Sequence, residues 1–308
     1  MSARHEPVLL EEVLRFLRNG AGLYLDATLG DGGHAEALLR IEPLARLLGT
    51  DRDPAALERA RERLARFGAR VMLEHATFRE LPDAHRRAGG EPFAGALFDL
   101  GLSSPQIDDP ARGMSFSHDG PLDLRMDASR GSTAAERLRS IDEAGLAHVL
   151  AEHGDVRGAR AIARRLVAAA ARGALRTTQD LAAEVHRAAG GRAHPRRVAQ
   201  VFQALRIWIN GEAEDLEAAL TWLPSVIRTD GVVVTLAYHS GEDRRIKQAL
   251  RGARPSASPR RLPAPADGLP EGPWNIVTRR VVTPSSEEVA RNPRARSARL
   301  RAFRRKSA

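Results

Sequence analysis

The chain has 308 residues, 43% hydrophobic and 28% charged, which are the proportions of a soluble globular protein able to bury a full core. It contains no cysteine, so disulfides and thiolate metal sites are excluded, and no apolar run reaches the ~18 residues of a membrane span. The net charge is +9, yet residues 244–308 hold 17 Lys/Arg against 4 Asp/Glu, a balance of +13, so the other 243 residues sum to −4. Such an excess at one end suits a surface that meets nucleic acid, although a solvated basic tail has the same composition. Every base except Lys247 and Lys306 is arginine, the residue that pairs with phosphate bidentately. The beginning of the chain, with Glu6, Glu11 and Glu12, does not resemble a signal peptide, and the cytoplasm is the expected location.

Leu23–Leu25 is a short apolar run that passes through Asp26 into a turn with Gly30, Gly32 and Gly33, and a helical segment follows from Ala35 to Arg40. Glycines in a strand-to-helix turn let a ligand approach backbone N–H groups at the carboxyl end of a strand, and they also serve plain connections. Leu47–Asp51 reads as a second buried strand. Asp51 lies about twenty residues past the glycines, where a carboxylate accepts from ribose hydroxyls or caps the helix opened by Asp53 and Pro54.

Leu57, Ala60, Leu64 and Phe67 place one apolar face on a helix over 55–67. Val71–Leu73 and Ala94–Asp99 read as strands three and four. Continuous apolar strands separated by amphipathic helices predict a parallel α/β sheet covered on both faces. Residues 105–131 are loop-like, and 133–220 read as successive helices, clearest at Ala159–Ala171 and Val198–Asn210. Strands return at Gly231–Tyr238 and Asn275–Thr278, and Pro255–Pro273 reads as a loop. The expected organisation is one sheet built from residues 1–104 and 221–308, interrupted by a helical insertion over 105–220 for substrate binding.

The segment Asp99-Leu100-Gly101-Leu102-Ser103-Ser104-Pro105-Gln106 follows the fourth strand, whose end flanks the ligand crevice of a doubly wound sheet. An acid, hydroxyls and an amide there can orient an exocyclic amino group, or they can stabilise a turn. His239, after the fifth strand, fits a base, an RNA contact or a structural role. His34, His75, His118, His153, His194 and His239 are scattered and form no metal motif, so no metal is expected. Ser103, Ser104 and Ser240 lack a Gly-x-Ser-x-Gly elbow, which argues against a hydrolase.

Taken together, His5–Leu10, Asp26–His34, Asp51–Pro54, Asp99–Gln106, Arg112–Phe116, Asp119–Asp127, Phe202–Ile207 and Asn292–Ser297 resemble the bacterial ribosomal RNA small-subunit methyltransferase H family, also called MraW. The similarity runs from residue 5 to about 303. The resemblance implies a Rossmann-like class I methyltransferase sheet with an inserted all-helical subdomain. It also implies methylation of N4 of a cytidine in the decoding region of 16S ribosomal RNA, with S-adenosyl-L-methionine as cofactor. The partner would be 16S ribosomal RNA, within the small ribosomal subunit, with no membrane, and the reading leaves a homodimer open.

On matching positions, Gly32, Gly33, His34, Asp51, Phe78, Asp99 and Gln106 would line the cofactor site. Of these, His34 and Phe78 come from the resemblance alone. Asp99, Ser103 and Ser104 would hydrogen-bond the cytosine amino group. The chain departs from the family pattern at Gly241, where Leu is usual, at Arg196–Val201, and at Asp155-Val156-Arg157. Gly30, Gly32, Ala35 and Asp51 alone also fit an NAD-dependent oxidoreductase, and a non-catalytic RNA-binding assembly factor is the third reading.

Overall fold

A computed structural model describes residues 7–191, 193–251 and 272–307. Seven strands form one sheet in the order β3-β2-β1-β4-β5-β7-β6: β1 (Gly22–Asp26), β2 (Ala45–Asp51), β3 (Val71–His75), β4 (Phe93–Asp99), β5 (Ile227–Ala237), β6 (Trp274–Ile276) and β7 (Arg299–Arg305). The first five pair in parallel, while β7 runs antiparallel to both β5 and β6. This is the Rossmann-like sheet expected from the sequence. Its central strand β4 is buried on both faces until Asp99, as a continuous apolar run requires.

Residues of α1 (Leu10–Leu17), α2 (Gly33–Ile41) and α3 (Pro54–Leu64) share one core cluster with the sheet. Those of α4 (Leu81–Arg87) share the cluster on the other face with two later helices, over Glu212–Val226 and Ser240–Arg251. Between them in sequence come α5 (Ser104–Asp108), α6 (Ala134–Ser140), α7 (Glu143–Gly154), α8 (Ala159–Ala171), α9 (Thr178–Ala188) and α10 (Pro195–Asn210). Then follow α11 (Glu212–Val226), α12 (Ser240–Arg251) and α13 (Ser286–Arg291). Contacts divide the chain into two compact units, Met1–Gly101 with Asp215–Ala308, and Leu102–Glu214. The second unit has its own core, in which Leu146, Leu150, Leu166, Leu181, Val201 and Leu205 are fully buried.

Several boundaries differ from the sequence expectation for local reasons. The helix expected over 55–67 stops at Leu64, and 3₁₀ turns run on to Arg70 with a kink at Gly68, which takes φ 54°. The helix expected from Val198 starts at Pro195, with His194 as N-cap accepting from Arg196 N. The expected loop Pro255–Pro273 falls outside the described residues apart from its last two.

One element overturns an expectation. Arg299–Arg305, counted with the basic tail, is a strand inside the sheet. Its alternation puts Leu300 and Ala302 into one core cluster and Phe303 into the other. Arg301 shares the Phe303 face, only 8% exposed, and donates from Nε to Asp243 Oδ1 of α12 at 2.5 Å. Part of the base excess is therefore structural.

Candidate active site at the carboxyl edge of the sheet

Because β1, β2 and β4 are parallel, their terminal acids Asp26, Asp51 and Asp99 share one edge of the sheet. The segment after β1 is stitched to both neighbours. Ala27 N donates to Leu97 O at 3.0 Å and Leu29 N to Thr50 O at 2.9 Å. Gly30 N then donates to Asp51 Oδ2 at 2.8 Å. The glycine-bearing turn and the second acid are thus one hydrogen-bonded unit.

The glycines of this turn have separable reasons. Gly32 is the N-cap of α2 in the left-handed region, at φ 77°. Gly33 is set by packing, since a Cβ there would lie 2.5 Å from Pro7 Cγ. That neighbour alone is enough to require glycine at 33.

Asp51 accepts from Asp53 N on Oδ1 at 2.8 Å, while Asp53 itself caps α3 by accepting from Ala55 N at 3.0 Å. The capping role considered for Asp51 therefore belongs to Asp53. Burial pushes the Asp51 carboxyl up, and the N–H groups of Asp53 and Gly30 oppose that shift. Each Asp51 oxygen holds one N–H and keeps a further lone pair for a hydroxyl.

Asp99 is held on three sides. Its backbone N donates to Thr28 Oγ1 at 2.6 Å, Tyr238 OH donates to Oδ1 at 2.8 Å, and His34 Nε2 stands 3.6 Å from Oδ2. Burial is the main cause that drives the Tyr238 phenol well above its ordinary value, with the charge of Asp99 next, so the hydroxyl stays a donor. Asp26 is 3% exposed, with Thr28 N on Oδ1 at 3.2 Å. Burial pushes its carboxyl up to about 7, helped by the charges of Asp99 and Asp51 and opposed by His34.

His34, in the first turn of α2, is buried, and among the described residues no group hydrogen-bonds its Nδ1. Phe78 follows β3 and is half-buried, its ring edge-on to Phe98 at 5.4 Å between centroids. Ser103, Ser104 and Gln106 belong to the second unit, at the start of α5. There Gln106 Oε1 accepts from Ser103 N at 3.0 Å, a helix-start motif that gives the amide a structural reason of its own. His239 is tied within its own turn, with Nε2 3.1 Å from Glu242 Oε1. A Cβ on the unusual Gly241 would come 3.1 Å from His239 Nδ1, so a larger residue there must displace that ring.

The sequence reading passed over Asp26, Thr28 and Tyr238. An acid closing the first strand, by analogy with those closing the second and fourth, was the available signal for Asp26. Nothing local marks Tyr238, which is 139 residues from Asp99.

Three carboxylates and one imidazole on a largely buried edge suit a ligand that brings positive charge and a vicinal diol. S-adenosylmethionine carries both. Asp51 would take the ribose hydroxyls, and Asp26 and Asp99 would offset the sulfonium and ammonium charges. The buried Nδ1 of His34 also lacks a partner that a polar ligand atom could provide.

Comparison with known proteins agrees. The description of the MraW methylase family matches residues 2–306. The chain is 45% identical to the ribosomal RNA small subunit methyltransferase H of Sorangium cellulosum (strain So ce56), across 98% of this chain and 91% of that protein. Identity to the protein of the same name from Anaeromyxobacter sp. (strain K) is 44%, across 97% of each. For that of Cupriavidus metallidurans it is 45%, across 97% of this chain and 93% of the relative.

Proposed function

This chain belongs to the MraW methylase family, a class I methyltransferase using S-adenosylmethionine, and from that premise we propose that it methylates N4 of a cytidine in the decoding region of 16S ribosomal RNA. The carrying observation is the single edge on which Asp26, Gly30, His34, Asp51 and Asp99 are joined by hydrogen bonds and close contacts. The NAD-dependent alternative is left without support by the family match.

When bound, S-adenosylmethionine supplies an electrophilic methyl carbon on a positively charged sulfur. A cytosine amino nitrogen is a poor nucleophile, because its lone pair is delocalised into the ring. Tyr238 donates to Asp99 Oδ1, and Oδ2, which lacks that donor, is the oxygen proposed to accept from the amino group and draw its nitrogen toward sp³. Ser103 and Ser104, a few residues further along the chain, are the proposed hydroxyl partners of the same group. The cytosine nitrogen would take the methyl group, leaving S-adenosylhomocysteine as a neutral thioether, and one amino proton would pass to solvent. Holding the nitrogen at about 3–3.5 Å from the methyl carbon is the main catalytic contribution. Asp51 would grip the ribose, Gly32, Gly33 and His34 would flank the amino-acid part, and Phe78 and Gln106 would border the adenine.

Two measurements test this. Calorimetric titration should show S-adenosylhomocysteine binding and no NAD binding. Mass mapping of ribosomal RNA should find one N4-methylated cytidine that disappears when the gene is deleted. A different modified base, or none, defeats the assignment.

A further inference from the structure

Helix α8 breaks the usual rules of helix electrostatics. Its thirteen residues, ARAIARRLVAAAA, contain three arginines and no acid. Arg160 occupies the first turn, the positive end of the helix dipole, with no acidic residue beside it and no side-chain cap. Arg160 and Arg164 are also like charges at i,i+4 spacing, which disfavours an isolated helix. Among the described residues, the side chains of Arg160, Arg164 and Arg172 have no ion-pair or hydrogen-bond partner.

Arg164 and Arg172 border a cleft on this face. This cleft of about 320 Å³ is lined by Arg164, Arg165, Arg172 and Arg187, over a floor of Ala161, Ala168 and Ala188. Behind it, the buried carboxylate of Glu184 on α9 accepts from Arg165 Nε at 2.6 Å and from Arg187 Nη1 at 2.5 Å. That carboxylate fixes two guanidinium forks and leaves each with further N–H donors, their side chains 42% and 57% exposed. Four arginines and one glutamate leave the cleft at +3.

We propose that this cleft between α8 and α9 is a binding site for the phosphodiester backbone of the RNA substrate. The inference rests on the ribosomal RNA reading above and adds where the second unit grips the strand. Guanidinium forks match phosphate oxygens in pairs, and the small alanine floor lets a bulky backbone reach them. The lining holds no aromatic ring on which a base could stack, so contact here positions the strand without reading its sequence.

The test compares the full chain with its Arg164→Ala/Arg172→Ala variant. Binding to unmethylated small ribosomal subunits and to short single-stranded RNAs of unrelated sequence is measured across a salt series. Two lost phosphate contacts should weaken binding on the order of tenfold and lower the slope of log affinity against log salt by about 1.4 to 1.8. The loss should be uniform across sequences, with S-adenosylhomocysteine affinity and melting unchanged. The Arg164→Lys/Arg172→Lys variant should recover most of the slope. An unchanged slope, or a loss confined to one sequence, overturns the proposal. If the wild-type chain binds subunits with this slope yet methylates no cytidine in them, the target assignment fails and the cleft stands.

Discussion

The carboxyl edge of the sheet and the exposed face of α8 both concentrate one sign of charge, and they do so by opposite means. At the sheet edge Asp26 is buried and Asp51 and Asp99 are half-buried, and backbone N–H groups, Tyr238 or His34 stand against each of them. On α8 the bases are exposed, and the side chains of Arg160 and Arg164 are unpartnered among the described residues. Burial makes Asp26 and Asp51 costly to keep ionised until a cation arrives, which favours a small, snugly held charged ligand. Exposure makes the arginines cheap to keep charged and sensitive to salt, which favours an extended polyanion. Methyl transfer to RNA from a sulfonium donor needs one region of each kind.

The strongest way to break this contrast is to neutralise the most deeply buried acid. The folded-state value of Asp26, about 7, lies above its ordinary 3.8, so between those values the folded chain holds a proton that the unfolded chain releases. Stability must therefore fall as pH rises from about 4 to about 7, by up to about 4 kcal/mol, and then level off. Asp26→Asn should flatten that dependence and raise stability near pH 8, read by denaturant titration at several pH values. It should also weaken S-adenosylmethionine binding. A variant with the wild-type pH profile would show that Asp26 carries no such burden.

Next in size is Asp99→Ala, which removes the proposed partner of the substrate amino group. Turnover should drop about 10²–10³-fold, roughly 3–4 kcal/mol, with folding intact. Single-turnover methyl transfer on small subunits measures it, and wild-type rates would remove Asp99 from the chemistry.

The two regions were unequally legible in the sequence. Leu47–Asp51 and Ala94–Asp99 announce strands ending in acids, because apolar runs buried on both faces leave few alternatives. β7 was not legible. In Arg-Leu-Arg-Ala-Phe-Arg-Arg the polar half of the alternation is arginine, and only the partner Asp243, far away in the chain, makes a buried arginine tolerable. Gln106 has a local role that its residue type alone does not reveal, since its Oε1 accepts from Ser103 N at the start of α5. Tyr238 was invisible as a partner of Asp99 because only the β4–β5 pairing brings the two together.

Arg301 sharpens the contrast by being an arginine of the sheet that is already engaged. Arg301→Ala should cost about 2–3 kcal/mol in a denaturant melt. That is below the 3–5 typical of breaking a buried pair, because Lys247 stays 3.1 Å from Asp243. The ion pairs hold the Asp243 carboxyl below its usual range against the effect of burial, so this contribution is present above the ordinary carboxylate value and fades as pH falls below it. The salt slope of RNA binding should not change. A stable variant with a shallower slope would place Arg301 among the RNA contacts instead.

The smallest effect expected is that of Tyr238→Phe, and it separates holding Asp99 from merely filling space. The ring remains, so packing against the core is kept and stability should shift by about 1 kcal/mol or less. What is lost is the donor that occupies Oδ1 and fixes which carboxylate oxygen faces the substrate. With Oδ1 released, the carboxylate can rotate, and turnover should fall about tenfold while the KM for S-adenosylmethionine changes little. A purely structural tyrosine would instead lower the melting temperature and leave kcat alone. The ratio of the kcat loss to the melting shift therefore decides whether the edge acids are oriented by design of the fold or simply buried in it.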